Sequence, residues 1–214
     1  VEFAPGLGVT AQLVLSQSPS SYTAVEADDA AARRAQSYLS GDNQRCVVGQ
    51  AEHSGLPDGG ATVVYCEAML SMKPPENKVK IIQEATRLLA PGGRCGIHEL
   101  SVTPDDIDSV TRDAINRELS QSIHVGVRPL TVSEWKALLE REGFMAKAQA
   151  TTPMHLLKPS QMIRKKGLSG MARVTWNALR NPAARQRVLA MRRVFRQYDQ
   201  NLSALVLVAE KGHE

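Results

Sequence analysis

The stretch Glu2-Phe3-Ala4-Pro5-Gly6-Leu7-Gly8 decides how the rest of this 214-residue chain is read. Val1 to Phe3 has the character of a short buried strand, and Val9 to Leu15 can start a helix directly behind the turn. Glycines between a strand and a helix let backbone N–H groups approach a ligand, because no side chain stands in the way. The next strand, Tyr22 to Val25, ends in Glu26, eighteen positions after Gly8. A carboxylate there can accept hydrogen bonds from both hydroxyls of a ribose. This much describes a nucleotide site in general. Gly6-Leu7-Gly8-Val9-Thr10-Ala11 even satisfies the dinucleotide fingerprint, with alanine in its last place.

Outward from the turn, strands and helices alternate. Asp28 caps an alanine-rich helix over Asp29 to Leu39, and strands follow at Arg45 to Val48 and Ala61 to Cys66. Val79, Ile82, Ala85, Leu88 and Leu89 recur at helical spacing within Pro75 to Leu89. Pro91-Gly92-Gly93 stops that helix, and Arg94 to Leu100 forms a fifth strand. Such alternation requires parallel pairing through right-handed crossovers. The expected fold is therefore α/β: a Rossmann-like, doubly wound, mostly parallel sheet with helices on both faces.

Past residue 100 the pattern changes. Pro104 to Ser122 reads as a polar helix. Thr131 to Glu142 is a second helix, opened by Ser133 and Glu134, with Trp135, Leu138 and Leu139 on one face and Gly143 at its end. A sixth strand, Phe144 to Ala150, and a seventh, Leu202 to Ala209, flank a basic stretch that predicts two helices parted near Asn181-Pro182.

Three features favour S-adenosylmethionine over a dinucleotide. Glu2 stands two residues before the turn, where a carboxylate repels a pyrophosphate but suits a cation bearing an ammonium group. Val48-Gly49-Gln50-Ala51-Glu52 follows the third strand, where an adenine would lie. Leu88-Leu89-Ala90-Pro91-Gly92-Gly93-Arg94 leads into the fifth strand. At these residues the chain resembles the class I S-adenosylmethionine-dependent methyltransferases, especially those acting on small molecules. Glu2 to Gly8 is similar to their acidic-x-Gly-x-Gly-x-Gly loop, Gly49 to Glu52 to their Gly-Asp-Ala-Glu stretch, and Leu89 to Arg94 to their Leu-x-Pro-Gly-Gly-Arg turn. The late apolar strand matches the family's hairpin of strands six and seven, which implies a seven-stranded sheet with an antiparallel last strand.

The resemblance implies roles residue by residue. Glu2 would orient the methionine moiety, while Ala4, Pro5, Gly6 and Gly8 form the loop beneath the cofactor. Glu26 would hold the ribose with Ala27 beside the adenine, and Gln50 and Ala51 would meet the adenine edge. Cys66 and Glu67 would flank the methionine part and face the acceptor. Two positions depart from the family: Ala4 replaces the first glycine, and Gln50 replaces an aspartate. The amide oxygen of Gln50 can still accept from the adenine amino group, without charge.

Methyl transfer from a sulfonium is an in-line displacement in which the leaving group departs neutral, so the protein must chiefly align the partners. A base is needed only where the acceptor carries a proton that must leave. Candidates at strand ends are Glu67, His98 and Glu99, with His124 before Arg128; His98 and Glu67 are the catalytic pair expected here. No third ligand stands at helical or hairpin spacing, so no metal site is expected. A nicotinamide-dependent oxidoreductase shares the loop and Glu26 and is the first rival. A non-catalytic module that keeps the fold is the second.

Composition bounds the rest. Between Pro159 and Tyr198 lie ten basic residues and no acidic one, which leaves the other residues at net −6 although the chain carries +4. Those helices present either solvated faces or a surface for an anionic acceptor or anionic lipid headgroups. Aromatic residues make up 4%, which argues against a nucleic-acid partner. Cys46, Cys66 and Cys95 have no paired spacing, so reduced core cysteines and a cytoplasmic location are expected. One domain spans 1–214: a cofactor-binding half over 1–100, an acceptor-side half over 101–158, a basic insert over 159–198 and the last strand over 202–209. The opening residues already read as a strand, so an upstream lead-in is expected.

Overall fold

The computed structural model of the chain describes residues 1–154 and 182–212. Its first half alternates as expected: β1 (Glu2–Phe3), α1 (Val9–Leu15), β2 (Tyr22–Glu26), α2 (Asp29–Gln36), β3 (Gln44–Val48), β4 (Ala61–Glu67), a 3₁₀ turn (Leu70–Met72) and α3 (Pro75–Leu88). Then follow β5 (Leu89–Val102), α4 (Ser109–Ile123), β6 (Leu130–Thr131), α5 (Val132–Arg141), β7 (Phe144–Pro153), α6 (Pro182–Gln197) and β8 (Leu202–Lys211).

The strands form one sheet in the order β3-β2-β1-β4-β5-β8-β7, with β6 pairing β5 off that path. β1 to β5 run parallel, and β8 is antiparallel to both β5 and β7. The seven expected strands are thus present with the antiparallel one between β5 and β7. The eighth, β6, has two residues, too few to leave a period in the sequence.

Local chemistry sets the helix ends. Asp28 accepts from Ala31 N at 2.7 Å and Asp108 from Thr111 N at 2.9 Å, each filling an orphan donor of a first turn. α4 consequently starts at Ser109 rather than Pro104. α5 opens with a capping box in which Thr131 and Glu134, not Ser133 and Glu134, exchange side-chain and backbone bonds. α2 stops at Gln36, short of the expected Leu39, because its last carbonyls close onto the N–H groups of Ser37, Tyr38 and Leu39. The Pro91-Gly92-Gly93 segment bulges from the ladder: Ala61 pairs Leu89 and Val63 pairs Arg94.

The main core lies on the α3/α5 face of the sheet. Phe3, Val25, Val64, Cys66, Ile97 and Leu207 meet Ile81, Ile82, Ala85, Trp135 and Leu138 there. Each large side chain so buried stabilises the fold by about 1.5–3 kcal/mol. α1 and the turn after α2 cover β2, where Ala11, Val14, Tyr38 and Leu39 pack against Tyr22 and Ala24. α4 and α6 close over the ends of β5 and β8 around Val102, Ile115, Leu119, Val194 and Leu202. The basic segment before Pro182 lies outside the described residues.

Candidate cofactor and acceptor site

Loops at the carboxyl ends of β1 to β5 gather most of the residues singled out in the sequence. Ala4, Gly6 and Gly8 have φ of 52°, 55° and 72°. A left-handed backbone at alternate positions bends the chain back on itself, and it is tolerated by glycine and least disfavoured elsewhere in small residues. Ala4 therefore adopts the conformation that the missing glycine would take freely. Its N–H bonds Val25 O at 2.8 Å, so the loop springs from the register that pairs Phe3 with Val25. Glu26 stands next to it in that register.

The Glu26 carboxylate is 9% exposed and held by two backbone donors, Ala27 N at 2.9 Å and Asp28 N at 3.3 Å, both on Oε1. Among the described residues no donor is found on Oε2. That oxygen remains available to a ribose hydroxyl. Glu2 is 2% exposed, and its Oε2 accepts from the hydroxyls of Tyr22 and of Tyr65, the latter at 2.7 Å. Burial raises its pKa above the ordinary carboxylate range, the tyrosine bonds working against that rise. The same burial and contact push both phenols up. Glu2 is thus a recessed acid beneath the loop, held by one oxygen.

Ala51 is buried and Gln50 exposed, in a tight turn closed by His53 N to Gln50 O at 3.0 Å. Glu52 in the same segment binds Lys73 Nζ at 2.9 Å and Asn77 Nδ2 at 2.8 Å, which moors the turn to α3.

At the ends of β4 and β5, parallel register sets Glu67 against His98. His98 Nδ1 lies 3.1 Å from Glu67 Oε1, and Thr10 on the first turn of α1 donates to Glu67 Oε2. Both members of the pair are partly exposed, at 47% and 39% of the side chain. An imidazole bound through Nδ1 to a carboxylate has its Nε2 free to take a proton.

Two expectations are corrected. The Cys66 side chain is buried in the main core, one residue out of phase with Glu67, and cannot face an acceptor. Its thiol is pushed well up by burial, and burial pushes that of Cys95 up to about 12. Glu99 is no base at the rim: its carboxylate receives the N–H groups of Met69, Leu70 and Ser71 and the Ser71 hydroxyl, and so anchors the 3₁₀ turn. His124 ends α4 at φ 59° and is exposed, with no side-chain hydrogen bond among the described residues. Thr10, Tyr22, Tyr65 and Tyr38 escaped the sequence reading. Their meeting depends on cross-strand register, and only the i, i+2 spacing of Tyr22, Ala24 and Glu26 hinted at a shared face.

A cavity of about 660 Å³ opens at the other end of the sheet, lined by Val1, Tyr22, Asn43, Ala61 and Val63 among others. Open α/β sheets bind ligands at strand carboxyl ends, and this cavity lies at the opposite end. Among the described residues no group of three His, Cys, Asp or Glu could hold a metal ion, and no helix is long and apolar enough to cross a membrane.

Residues 1–97 match the methyltransferase domain family. An uncharacterized protein of Haemophilus influenzae is 28% identical over 99% of this chain and 83% of its own length. Among solved structures, a candidate sarcosine dimethylglycine methyltransferase from Galdieria sulphuraria superposes with a TM-score of 0.73 at 15% identity, covering 99% of this chain and 77% of its own. A Haemonchus contortus phosphoethanolamine N-methyltransferase, solved with phosphomonomethylethanolamine and S-adenosylhomocysteine, gives 0.69 at 13% identity, covering 99% of this chain and 48% of its own. Likeness at such identities establishes a shared fold.

Proposed function

We propose that the chain, whose residues 1–97 match the methyltransferase domain family, is a class I S-adenosylmethionine-dependent methyltransferase that transfers a methyl group to a small acceptor seated over Glu67 and His98. The observation that carries this reading is the left-handed loop Ala4–Gly8 set in register beside a buried Glu26 with one unoccupied carboxylate oxygen.

The residues present suit a cationic nucleoside. Glu26 Oε2 would accept from the ribose, and the Gln50-Ala51 turn would border the base. Glu2 would set a negative field under the loop. The cofactor supplies an electrophilic methyl group on a sulfonium. Catalysis by the protein is then mainly alignment, with water held off the reacting atoms. For an acceptor that loses a proton, His98 Nε2 receives it, and Glu67 holds the ring through Nδ1 and stabilises the imidazolium. Thr10 keeps Glu67 turned toward the ring. Residues 1–100 would serve the cofactor and 101–158 the acceptor.

The nicotinamide rival loses support from the sheet. Dinucleotide folds continue parallel beyond the fifth strand, whereas β8 here runs antiparallel between β5 and β7. Calorimetric titration with S-adenosylhomocysteine and, separately, with NADH distinguishes the two. Binding of the first alone is expected, and Glu26→Ala should weaken it at least about tenfold, the usual worth of hydrogen bonds to a charged group. Binding of NADH alone would overturn the proposal.

A further inference from the structure

The basic segment is left unexplained by methyl transfer, and α6 is the part of it whose geometry is described. Its inward side is fixed by packing: Val194 is buried and Phe195 and Tyr198 lean on the same cluster as Ile115 and Leu119 of α4. Opposite Val194, at spacings of four, seven and eleven, come Arg185, Leu189, Arg192 and Arg196, with Val188 and Arg193 at the margins. Val188 is 48% and Leu189 51% exposed.

These arginines have no carboxylate partner among the described residues, and residues 155–181 contain no Asp or Glu that could provide one. The nearest acid with a role on the helix, Glu118 of α4, is occupied by the Tyr198 hydroxyl at 2.7 Å and by Gln197. So the positive charge of α6 is not neutralised among the described residues. Val188 and Leu189, half-exposed among these arginines, give the face an apolar component beside its charge. A polyanion such as RNA would match the charge but gain nothing from Val188 and Leu189, and the outward face offers no aromatic ring for bases to stack on.

We propose that the outward face of α6 docks on an anionic lipid bilayer, its arginines at headgroup depth and Val188 and Leu189 entering the acyl boundary. This is the arrangement of an interfacial amphipathic helix, in which apolar burial and charge attraction act together. α6 joins β7 to β8 at the edge where Val102 pairs Leu202, the carboxyl end of β5. Docking there brings the Glu67–His98 end of the sheet toward the membrane. The inference stands apart from the identity of the cofactor.

Sedimentation with vesicles of phosphatidylcholine alone, or with about one-third phosphatidylglycerol, tests it on the full chain. Binding is expected only to the anionic vesicles and should weaken as salt is added. Arg185→Glu and Arg196→Glu should each lower the partition coefficient about fivefold or more. Leu189→Asp, at a half-exposed position that leaves the fold intact by circular dichroism, should lower it comparably. Absence of vesicle binding overturns the proposal. So does binding that Leu189→Asp leaves unchanged while free RNA competes it away, since that behaviour belongs to a polyanion site.

Discussion

Gly8 stands at φ 72°, and a Cβ there would lie 2.4 Å from Cε1 of Tyr38. Two constraints therefore act on one position: the backbone region and the ring packed under the loop. The ring packs against the cluster of Ala11, Tyr22 and Ala24, which limits how far it can move. Burial also pushes its phenol up to about 12, and its hydroxyl has no partner among the described residues. Gly8→Ala should accordingly cost about 1–3 kcal/mol in unfolding free energy by denaturant titration, and should abolish S-adenosylhomocysteine binding by displacing the loop. Gly6, whose missing Cβ would meet nothing closer than Ala4 O at 3.9 Å, carries only the backbone constraint. Gly6→Ala should be the milder of the two.

The elements that hold the site are tied together by a few acids, and Glu84 on α3 is the clearest. It accepts from Ser54 N at 2.7 Å, from the Ser54 hydroxyl and from Arg87, joining the segment after the Gln50-Ala51 turn to the helix. The Arg87 guanidinium, with Ser54, holds its carboxyl at about 2 against an ordinary 4.5. A depressed acid stabilises the native state above its unfolded value and ceases to do so as pH falls toward its folded one. The Glu84 contribution, on the order of 2–3 kcal/mol, should thus be complete above pH 4.5 and vanish by about pH 2. Wild type and Glu84→Gln should differ in unfolding free energy at pH 6 and converge near pH 2. Which helices and strands exist was largely legible from sequence, because apolar spacing and caps such as Asp28 are local signals. What stayed hidden was relational. Nothing local to Thr10 or Tyr65 announces the acid it binds, since each partner comes from a different element of the fold, and the fate of Cys66 turned on a one-residue phase.

Taken as one body, the molecule does not divide where its functions do. A reading by motifs parts the chain near residue 100, but β5 runs across that point and is zipped along its length to β8, from Arg94–Glu210 to Val102–Leu202. The main core likewise draws Phe3, Val64 and Ile81 from one side of the division and Trp135, Leu139 and Leu205 from the other. Trp135 is fully buried, donates through Nε1 to Leu100 O at 3.2 Å and lies under the Lys78 ammonium, whose affinity for its proton burial lowers to about 8. A lysine so depressed binds fewer protons folded than unfolded between pH 8 and 10.5, so its contribution makes the fold more stable as pH rises through that window. Because the two sides share a core, they should melt together: far-ultraviolet dichroism and tryptophan fluorescence should trace one coincident transition. Trp135→Ala should lower the stability of the whole by about 3–5 kcal/mol. A fragment of residues 1–100 should stay unfolded, its β5 left without β8 and its α3 without α5. Separate transitions, or a folded fragment that binds S-adenosylhomocysteine, would show instead that the cofactor region stands alone and that the later strands merely append the acceptor side.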